Sequence, residues 1–174
     1  MENILSESER KWPLADAWMI AQRSVMLLMP LCQRVEIAGS IRRRKSEVGD
    51  IEIVCVPMTI GGLFRDQPAY IPPLGQVVKD GDRYKQYILG EGIKLDLYFV
   101  LPPGEWGVIF TIRTGGAKFS RMVVTQRNKG GWLPSDMEVR DGALWQGDKF
   151  IPTPEEFDFF REIRLKWVPP PNRG

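Results

Sequence analysis

Apolar residues recur every three or four positions near the start of the chain, and they alternate with polar residues in two later segments. The first pattern predicts a helix over residues 8–31, with Pro13 in its first turn and Pro30 near its end. A short strand is expected at 34–38. The two clearest strands are predicted at 50–56 and 93–101, where β-branched and apolar residues dominate.

The remainder of the chain is predicted to contain shorter elements. These are a hairpin at 83–89, an apolar strand at 107–112, a helix at 117–127, strands at 137–140 and 144–145, and a final helix at 157–165. Thr153 would cap the final helix, because proline and two glutamates follow it. The order of elements predicts an α+β chain with a helix and mixed-sheet lobe over residues 1–110 and a small helix-and-hairpin lobe over residues 111–174.

Composition and charge are those of an ordinary folded protein. The chain has 174 residues, 43% hydrophobic and 26% charged, and 24 Lys+Arg against 22 Asp+Glu give a net charge of +2. This length supports one core or two small lobes, but not two large domains. No apolar stretch is long enough to span a membrane, and the amino terminus lacks the pattern of a signal peptide. We therefore expect an intracellular, cytoplasmic protein without membrane contact.

The missing residue types exclude several chemistries. The chain has no histidine, which excludes a Ser-His-Asp triad, histidine general bases and nearly all zinc catalysis. Cys32 and Cys55 lie far apart in apolar sequence and are expected to be small buried hydrophobic residues. The chemistry of this chain must therefore depend on carboxylates, arginines, lysines, hydroxyls and backbone amides.

Carboxylates interrupt both of the clearest predicted strands. Asp50 and Glu52 alternate with apolar residues, so their side chains lie on one strand face, about 6–7 Å apart. Asp96 stands between two leucines in the later strand. If the two strands are neighbours, three acids meet at one point, and such a cluster suits Mg²⁺ or Mn²⁺. The alternative is a half-exposed strand that binds nothing, since such strands also alternate.

A small turn followed by basic residues precedes these acids. Gly39 and Ser40 offer backbone amides and a hydroxyl, which are groups that hold phosphate oxygens. Arg43 offers a forked donor that would neutralise a polyphosphate. The alternative is a solvated basic patch, which we favour for Arg44 and Lys45.

These motifs resemble the nucleotidyltransferase superfamily, and more closely the family X DNA polymerases, the group that contains polymerase beta. The similar segments are Gly39-Ser40-Ile41-Arg42-Arg43, Gly49-Asp50-Ile51-Glu52, Asp96 and Thr114-Gly115-Gly116-Ala117-Lys118-Phe119-Ser120. The resemblance continues in the family's order through Gly131-Trp132 and the Thr-Pro-Glu-Glu-Phe segment to Trp167-Val168-Pro169-Pro170, and it covers most of the chain, from about residue 13 to 173.

The resemblance implies a nucleotidyltransferase palm over residues 1–110 and a C-terminal nucleotide-binding subdomain over residues 111–174. It implies two Mg²⁺ or Mn²⁺ ions bound by Asp50 and Glu52, while Asp96 helps to bind the catalytic ion and activates the primer 3′-hydroxyl. The nucleotide-binding residues that it implies are Gly39, Ser40, Arg43, Gly49, Arg113, Thr114, Gly115 and Ser120. Ile112-Arg113 replaces the family's usual aromatic pair, which predicts weak discrimination against ribonucleotides.

The segment from 113 to 129 is basic and contains no acid, which is typical of a surface that follows a phosphate backbone. The alternative is a solvated helix face. The basic residues of this segment are Arg113, Lys118, Arg121, Arg127 and Lys129. The candidate DNA contacts are Lys118, Arg121, Arg127 and Lys129.

The function implied is that of a monomeric, template-directed DNA polymerase of the gap-filling repair type. It would use gapped or primed DNA and nucleoside triphosphates, and its small size suggests a viral or phage genome and a host cytoplasm. One alternative is a non-templated nucleotidyltransferase acting on an RNA end or a small acceptor. A second is a non-catalytic nucleic-acid-binding module. The similarity in the C-terminal lobe favours the polymerase.

Overall fold

The computed structural model describes residues 10–61 and 67–174, and it divides the chain into two compact units, Met1–Phe99 and Val100–Gly174. The first two residues of the predicted helix at 8–31, and the amino-terminal residues considered for a signal peptide, lie outside the described residues. Over the described ranges, no helix is both long and apolar enough to cross a membrane.

The first unit is built on a five-stranded mixed sheet, whose strands in spatial order are β2 (Cys32–Ile37), β4 (Asp50–Pro57), β9 (Lys94–Phe99), β8 (Tyr84–Ile88) and β7 (Gln76–Asp80). β4 and β9 are parallel, and the other neighbouring pairs are antiparallel. Its elements are β1 (Trp12–Pro13), α1 (Leu14–Leu28), β2 (Cys32–Ile37), α2 (Gly39–Arg42), β3 (Glu47–Val48), β4 (Asp50–Pro57), β5 (Thr59–Ile60), β6 (Gln67–Pro68), β7 (Gln76–Asp80), β8 (Tyr84–Ile88) and β9 (Lys94–Phe99).

The core of this unit lies between α1 and the two central strands. Ile51, Ile53, Leu95 and Leu97 alternate with polar residues along β4 and β9, and all four are completely buried. α1 packs against β2 and β4. Cys32 and Cys55 are buried as predicted, and their thiols hydrogen-bond to each other.

The second unit is a small α+β unit with its own core. Three helices pack with an antiparallel sheet of order β10-β11-β12. Its elements are α3 (Trp106–Thr114), α4 (Ala117–Val124), β10 (Met137–Arg140), β11 (Ala143–Gln146), β12 (Lys149–Ile151) and α5 (Glu156–Glu162).

Helix α3 corrects the predicted strand at 107–112. The run from Val108 to Ile112 contains β-branched residues and no charge, which favoured a strand. The helix is buried on several sides, with Trp106, Val108, Phe110 and Thr111 all in the interior. When every residue of a short run is apolar, the spacing of apolar and polar positions does not distinguish a helix from a strand. α3 packs against α4 and α5, so the division of the chain lies between residues 99 and 100 rather than at residue 110.

The start of α5 also differs from the prediction. Thr153 does not cap this helix: within the described residues, its buried hydroxyl oxygen has no hydrogen-bond partner, while its backbone N–H donates to the Glu105 carboxylate at 2.7 Å. The helix begins at Glu156, and Glu155 is its cap, with the Glu155 N–H donating to the Asp158 carboxylate at 3.0 Å. The start of the helix therefore lies two residues later than the position that the sequence pattern assigned to the cap.

A buried ion pair holds the end of the described chain in the second unit. Arg173 is completely buried and forms an ion pair with Glu156, whose side chain is 8% exposed. Its guanidinium lies 5.1 Å from the ring centre of Phe160 and 5.7 Å from that of Trp167. The Arg173 carbonyl accepts a hydrogen bond of 2.6 Å from the Gly116 N–H. The pair thus connects α5, the end of the chain and the turn between α3 and α4.

Replacement of Arg173 by methionine should destabilise the second unit by about 3–5 kcal/mol, because it leaves the Glu156 carboxylate buried without its cation. Urea unfolding followed by tryptophan fluorescence measures this change. Arg161→Met is the matched control, since Arg161 pairs with Asp158 and Glu162 but its side chain is 66% exposed. Equal shifts of the unfolding midpoint in the two variants would contradict this role for the buried pair.

Candidate active site

Three carboxylates lie on one face of the five-stranded sheet, in its two parallel strands. The register of β4 and β9 places Glu52 directly opposite Asp96, and Asp50 directly opposite Lys94. Paired residues on neighbouring strands share a face of the sheet. Asp50 and Glu52 are partly buried and Asp96 is 7% exposed. The sheet therefore brings all three predicted acids to one surface.

The turn after β2 packs directly on this surface. The Ala38 N–H donates to the Glu52 carbonyl at 2.8 Å, which brings Gly39 over the Glu52 side chain. A Cβ atom at Gly39 would lie 1.8 Å from Glu52 Oε2, and the backbone of Gly39 has a φ of +58°. Both the contact and the backbone angle therefore require glycine here. Gly49, which precedes β4, lies beside Lys11.

Ser40 lies on α2, and Arg43 follows the last residue of that helical turn. Within residues 10–61 and 67–174, the hydroxyl oxygen of Ser40 is buried and has no hydrogen-bond partner. Burial lowers the pKa of Arg43, while the carboxylate charges of Glu52 and Asp50 act in the opposite direction. Arg43 therefore lies within the electrostatic field of the acids, and Ser40 offers a hydroxyl that a phosphate oxygen could engage.

A lysine lies among the acids. The Nζ atom of Lys94 lies 3.1 Å from Asp50 Oδ2 and 4.0 Å from Asp96 Oδ2. Partial burial alone would lower the pKa of Lys94, but the hydrogen bond to Asp50 and the charges of Asp50, Asp96 and Glu52 raise it overall. Lys94 is therefore a protonated cation at neutral pH, and it compensates part of the negative charge of this surface.

Two side chains of β8 donate hydrogen bonds to the Asp96 carboxylate. The Tyr84 hydroxyl donates to Asp96 Oδ1 at 2.9 Å, and the Gln86 amide donates to the same oxygen at 2.7 Å. The register places Gln86 directly opposite Asp96. The Tyr84 ring stacks on that of Tyr98 with 5.0 Å between ring centres. These contacts fix the orientation of Asp96, so that Oδ2 is the oxygen nearer to Lys94.

The acidic surface has the donor chemistry of a site for a hard divalent ion, since carboxylate oxygens are the ligands that Mg²⁺ and Mn²⁺ prefer. In the part of the chain that the structure describes, however, no three Asp, Glu, Cys or His side chains are close enough to form a ligand set. Lys94 Nζ lies between Asp50 and Asp96. The strand register therefore brings suitable oxygen donors to one face, and the side-chain positions hold the lysine ammonium beside two of them.

The predicted nucleotide-binding residues of the second unit lie together at the turn between α3 and α4. Thr114 is completely buried, and a Cβ atom at Gly115 would lie 2.5 Å from Ser120 Oγ. The Ser120 hydroxyl donates to the Ile112 carbonyl at 2.6 Å. Arg113, next to this turn, is partly buried. The turn is therefore held by the hydroxyl that the resemblance assigned to nucleotide contact.

The basic segment separates into exposed and structural residues. α4 buries Phe119 and Val123 and leaves Lys118 and Arg121 exposed one turn apart. Lys129 is also exposed. Arg127 has a structural contact, because its guanidinium donates to the carbonyls of Trp132 and Ile163 at 3.1 and 3.0 Å.

Sequence reasoning did not identify Lys94, Tyr84 or Gln86 as members of this site. Lys94 alternates with buried Ile93 and Leu95, so its shared face with Asp96 could have been derived from the sequence. The contacts from Tyr84 and Gln86 depend on the register of β8, which the sequence does not specify.

Comparison with known proteins supports the fold. No model of a protein family matches this sequence, and no curated protein matches it. One of the solved structures that it resembles is Leishmania infantum polymerase beta in a ternary P/T complex, with a TM-score of 0.72 and 14% sequence identity. The alignment covers 97% of this chain and 78% of that chain. The chain therefore has a polymerase beta-like α+β fold, as predicted, and at this identity the likeness establishes the fold alone.

Replacement of Gly39 by alanine should destabilise the first unit and displace Glu52, because the new methyl group would overlap with the carboxylate. Gly147→Ala is a matched control, since Gly147 has the same φ of +58° and nothing within 4 Å of its Cβ position. The backbone strain costs about 1–2 kcal/mol in each variant, and the overlap should add about 1–3 kcal/mol at Gly39 alone. Thermal unfolding measures the difference.

A second substitution identifies the overlapping group. Glu52→Ala in the Gly39→Ala background should recover part of the lost stability, because it removes the carboxylate from the overlap. The close packing of Gly39 on Glu52 is refuted if the Gly39 and Gly147 variants lose the same stability.

Proposed function

We propose that this chain is a template-directed DNA polymerase of the gap-filling type, which adds nucleotides to a primer 3′ end and releases pyrophosphate. The observation that carries the proposal is the packing of the Gly39-Ser40 turn on Glu52, directly opposite Asp96 in the parallel strand pair. A phosphate-binding turn in contact with a carboxylate pair is an arrangement suited to phosphoryl transfer.

Asp50, Glu52 and Asp96 would hold two divalent ions, Mg²⁺ or Mn²⁺, on the shared face of β4 and β9. Such ions supply positive charge to the attacking and leaving oxygens. Asp96 Oδ2 would accept the proton of the primer 3′-hydroxyl, because Oδ1 already accepts hydrogen bonds from Tyr84 and Gln86. That pair of hydrogen bonds presents one defined oxygen for the proton.

Ser40 and Arg43 would bind the triphosphate. The primer 3′-oxygen forms a bond to the α-phosphorus, and the bond from that phosphorus to pyrophosphate breaks. The buried Ser40 hydroxyl would donate to a phosphate oxygen, and Arg43 would compensate the charge that the leaving pyrophosphate carries. Neither residue forms a covalent bond with the substrate, so catalysis would come from positioning and charge compensation.

The second unit would contribute nucleotide and DNA contacts. Arg113 and the turn at Thr114 and Gly115 would contact the incoming nucleotide. Lys118 and Arg121 would contact DNA phosphates, because both are exposed and, within the described ranges, neither forms an ion pair with a carboxylate. Since Arg127 donates to two backbone carbonyls, we assign it a structural role in this proposal.

Replacement of each acid by its amide should reduce primer extension on the order of a thousandfold or more, because the three carboxylates act as one unit. The variants are Asp50→Asn, Glu52→Gln and Asp96→Asn, assayed on gapped DNA with Mg²⁺ and with Mn²⁺. Asp80→Asn is the control, since Asp80 is an exposed aspartate of the same sheet that pairs with Lys85.

The same assay discriminates the alternatives. Near-normal extension by Asp96→Asn would contradict the assignment of the proton acceptor. Addition to a primer without a template would indicate a non-templated nucleotidyltransferase, and DNA binding without any extension would indicate a binding module.

The affinity for DNA should depend steeply on salt, and the double variant Lys118→Gln, Arg121→Gln should reduce the slope of log K against log[salt] by about two units. Each lost phosphate contact removes about 0.9 from that slope. The control is Arg140→Gln, Lys149→Gln, which removes the same charge from two exposed positions of the β10-β11-β12 sheet. Fluorescence anisotropy over a salt series measures the DNA affinity of both double variants. Equal slopes for the two would place the DNA on another surface.

A further inference from the structure

Lys94 is placed on the acidic face by the strand itself. Its neighbours Ile93 and Leu95 are 1% and 0% exposed, and the alternation of β9 therefore sends the lysine side chain to the opposite face. The parallel register then aligns it with Asp50. Because the side chain is 39% exposed, its flexible stem can also reach solvent without leaving this face.

The lysine ammonium and a divalent ion would compete for the same carboxylate oxygen. Lys94 Nζ lies 3.1 Å from Asp50 Oδ2, whereas a Mg²⁺ ligand oxygen lies about 2.0–2.1 Å from its ion. An ion at that distance from Asp50 would repel the nearby ammonium, and the two cations would have to separate. Binding of a divalent ion at Asp50 Oδ2 therefore requires Lys94 to leave that oxygen.

Asp96 requires no comparable rearrangement. Its Oδ1 accepts hydrogen bonds from Tyr84 and Gln86, and these bonds are 2.9 and 2.7 Å long. Its Oδ2 is 4.0 Å from Lys94 Nζ, which is a weaker contact than the one to Asp50. Of the two aspartates, Asp50 is therefore the one for which ion binding requires a rearrangement of Lys94.

We propose that Lys94 is a built-in competitor of the divalent ions: it neutralises Asp50 when no ion is bound, and it must be displaced before the ion site can form. The inference rests on the proposed function, because it assumes that Asp50 is an ion ligand. In the polymerase cycle, the lysine keeps the acidic face stable without metal and lowers its affinity for metal. Ion binding would then be favoured when substrate phosphates add further ligands.

Removal of the lysine charge should strengthen metal binding. Mn²⁺ binding to the full chain without nucleotide or DNA is measured from the electron paramagnetic resonance signal of free Mn²⁺. Lys94→Met should bind Mn²⁺ roughly fivefold more tightly than the wild type, which is the effect expected for loss of a partly exposed ion pair. Lys85→Met should match the wild type. Lys85 also pairs with an aspartate, but it lies opposite Leu97 on the other face of the sheet.

Thermal unfolding supplies a second readout that does not depend on activity. In EDTA, Lys94→Met should unfold at a lower temperature than the wild type, because its three carboxylates lose a compensating charge. Saturating Mg²⁺ should raise the midpoint of Lys94→Met by more than that of the wild type, since an ion that binds the folded state more tightly stabilises it more. Lys85→Met should respond to Mg²⁺ as the wild type does.

The outcomes separate this inference from the proposed function. Equal or weaker Mn²⁺ binding by Lys94→Met, with binding lost in Asp50→Asn, would overturn the competition and leave the ion site in place. Absence of Mn²⁺ binding in both the wild type and Lys94→Met, together with absence of primer extension, would overturn the proposed function and this inference with it. Tighter binding by Lys94→Met but not by Lys85→Met supports the competition.

Discussion

The parallel pairing of β4 with β9 determines where Asp50, Glu52, Lys94 and Asp96 lie on the first unit's sheet. A slip of one residue would turn each side chain of a strand to the opposite face. The register is held by burial of Ile51, Ile53, Leu95 and Leu97, none of which is exposed. The acids are thus positioned by the apolar residues between them. A substitution that changes the packing of this core would move the carboxylates even though it touches none of them.

This placement has an electrostatic cost, because three carboxylates on adjacent strands repel one another. The structure offsets the repulsion in two ways. Lys94 and Arg43 supply positive charge, and Tyr84 and Gln86 donate hydrogen bonds to Asp96. In the proposed function, a divalent ion would replace part of this compensating charge. The repulsion that Lys94 and Arg43 offset in the free protein would then contribute to the affinity for that ion.

The alternation of β4 and β9 made their acids and buried residues predictable, because a period of two is a direct consequence of strand geometry. The similarity of the Gly39-Ser40 and Gly49-Asp50 motifs to a known family gave the fold. Contacts that depend on strand register or on distant sequence were not predictable. These include the Tyr84 hydrogen bond to Asp96 and the Arg173–Glu156 ion pair. The helix at 106–114 was missed because burial on several sides leaves no periodic pattern.

In the second unit, a buried ion pair rather than a strand register holds the turn between α3 and α4. In its turn at Gly115 and Gly116, the Gly116 N–H donates a hydrogen bond to the Arg173 carbonyl. The Arg173 side chain is held by the ion pair with Glu156 and by contacts with the rings of Phe160 and Trp167. A buried ion pair of this kind fixes geometry more than it adds stability, since its Coulombic attraction is largely offset by desolvation. Its value to the chain is therefore positional: it holds the turn of the second unit for which nucleotide contact is proposed. The fold alone does not determine activity at 14% identity. In the proposed function, activity depends on whether the strand register and the buried ion pair hold the acids and the phosphate-binding groups where substrate and ions can reach them.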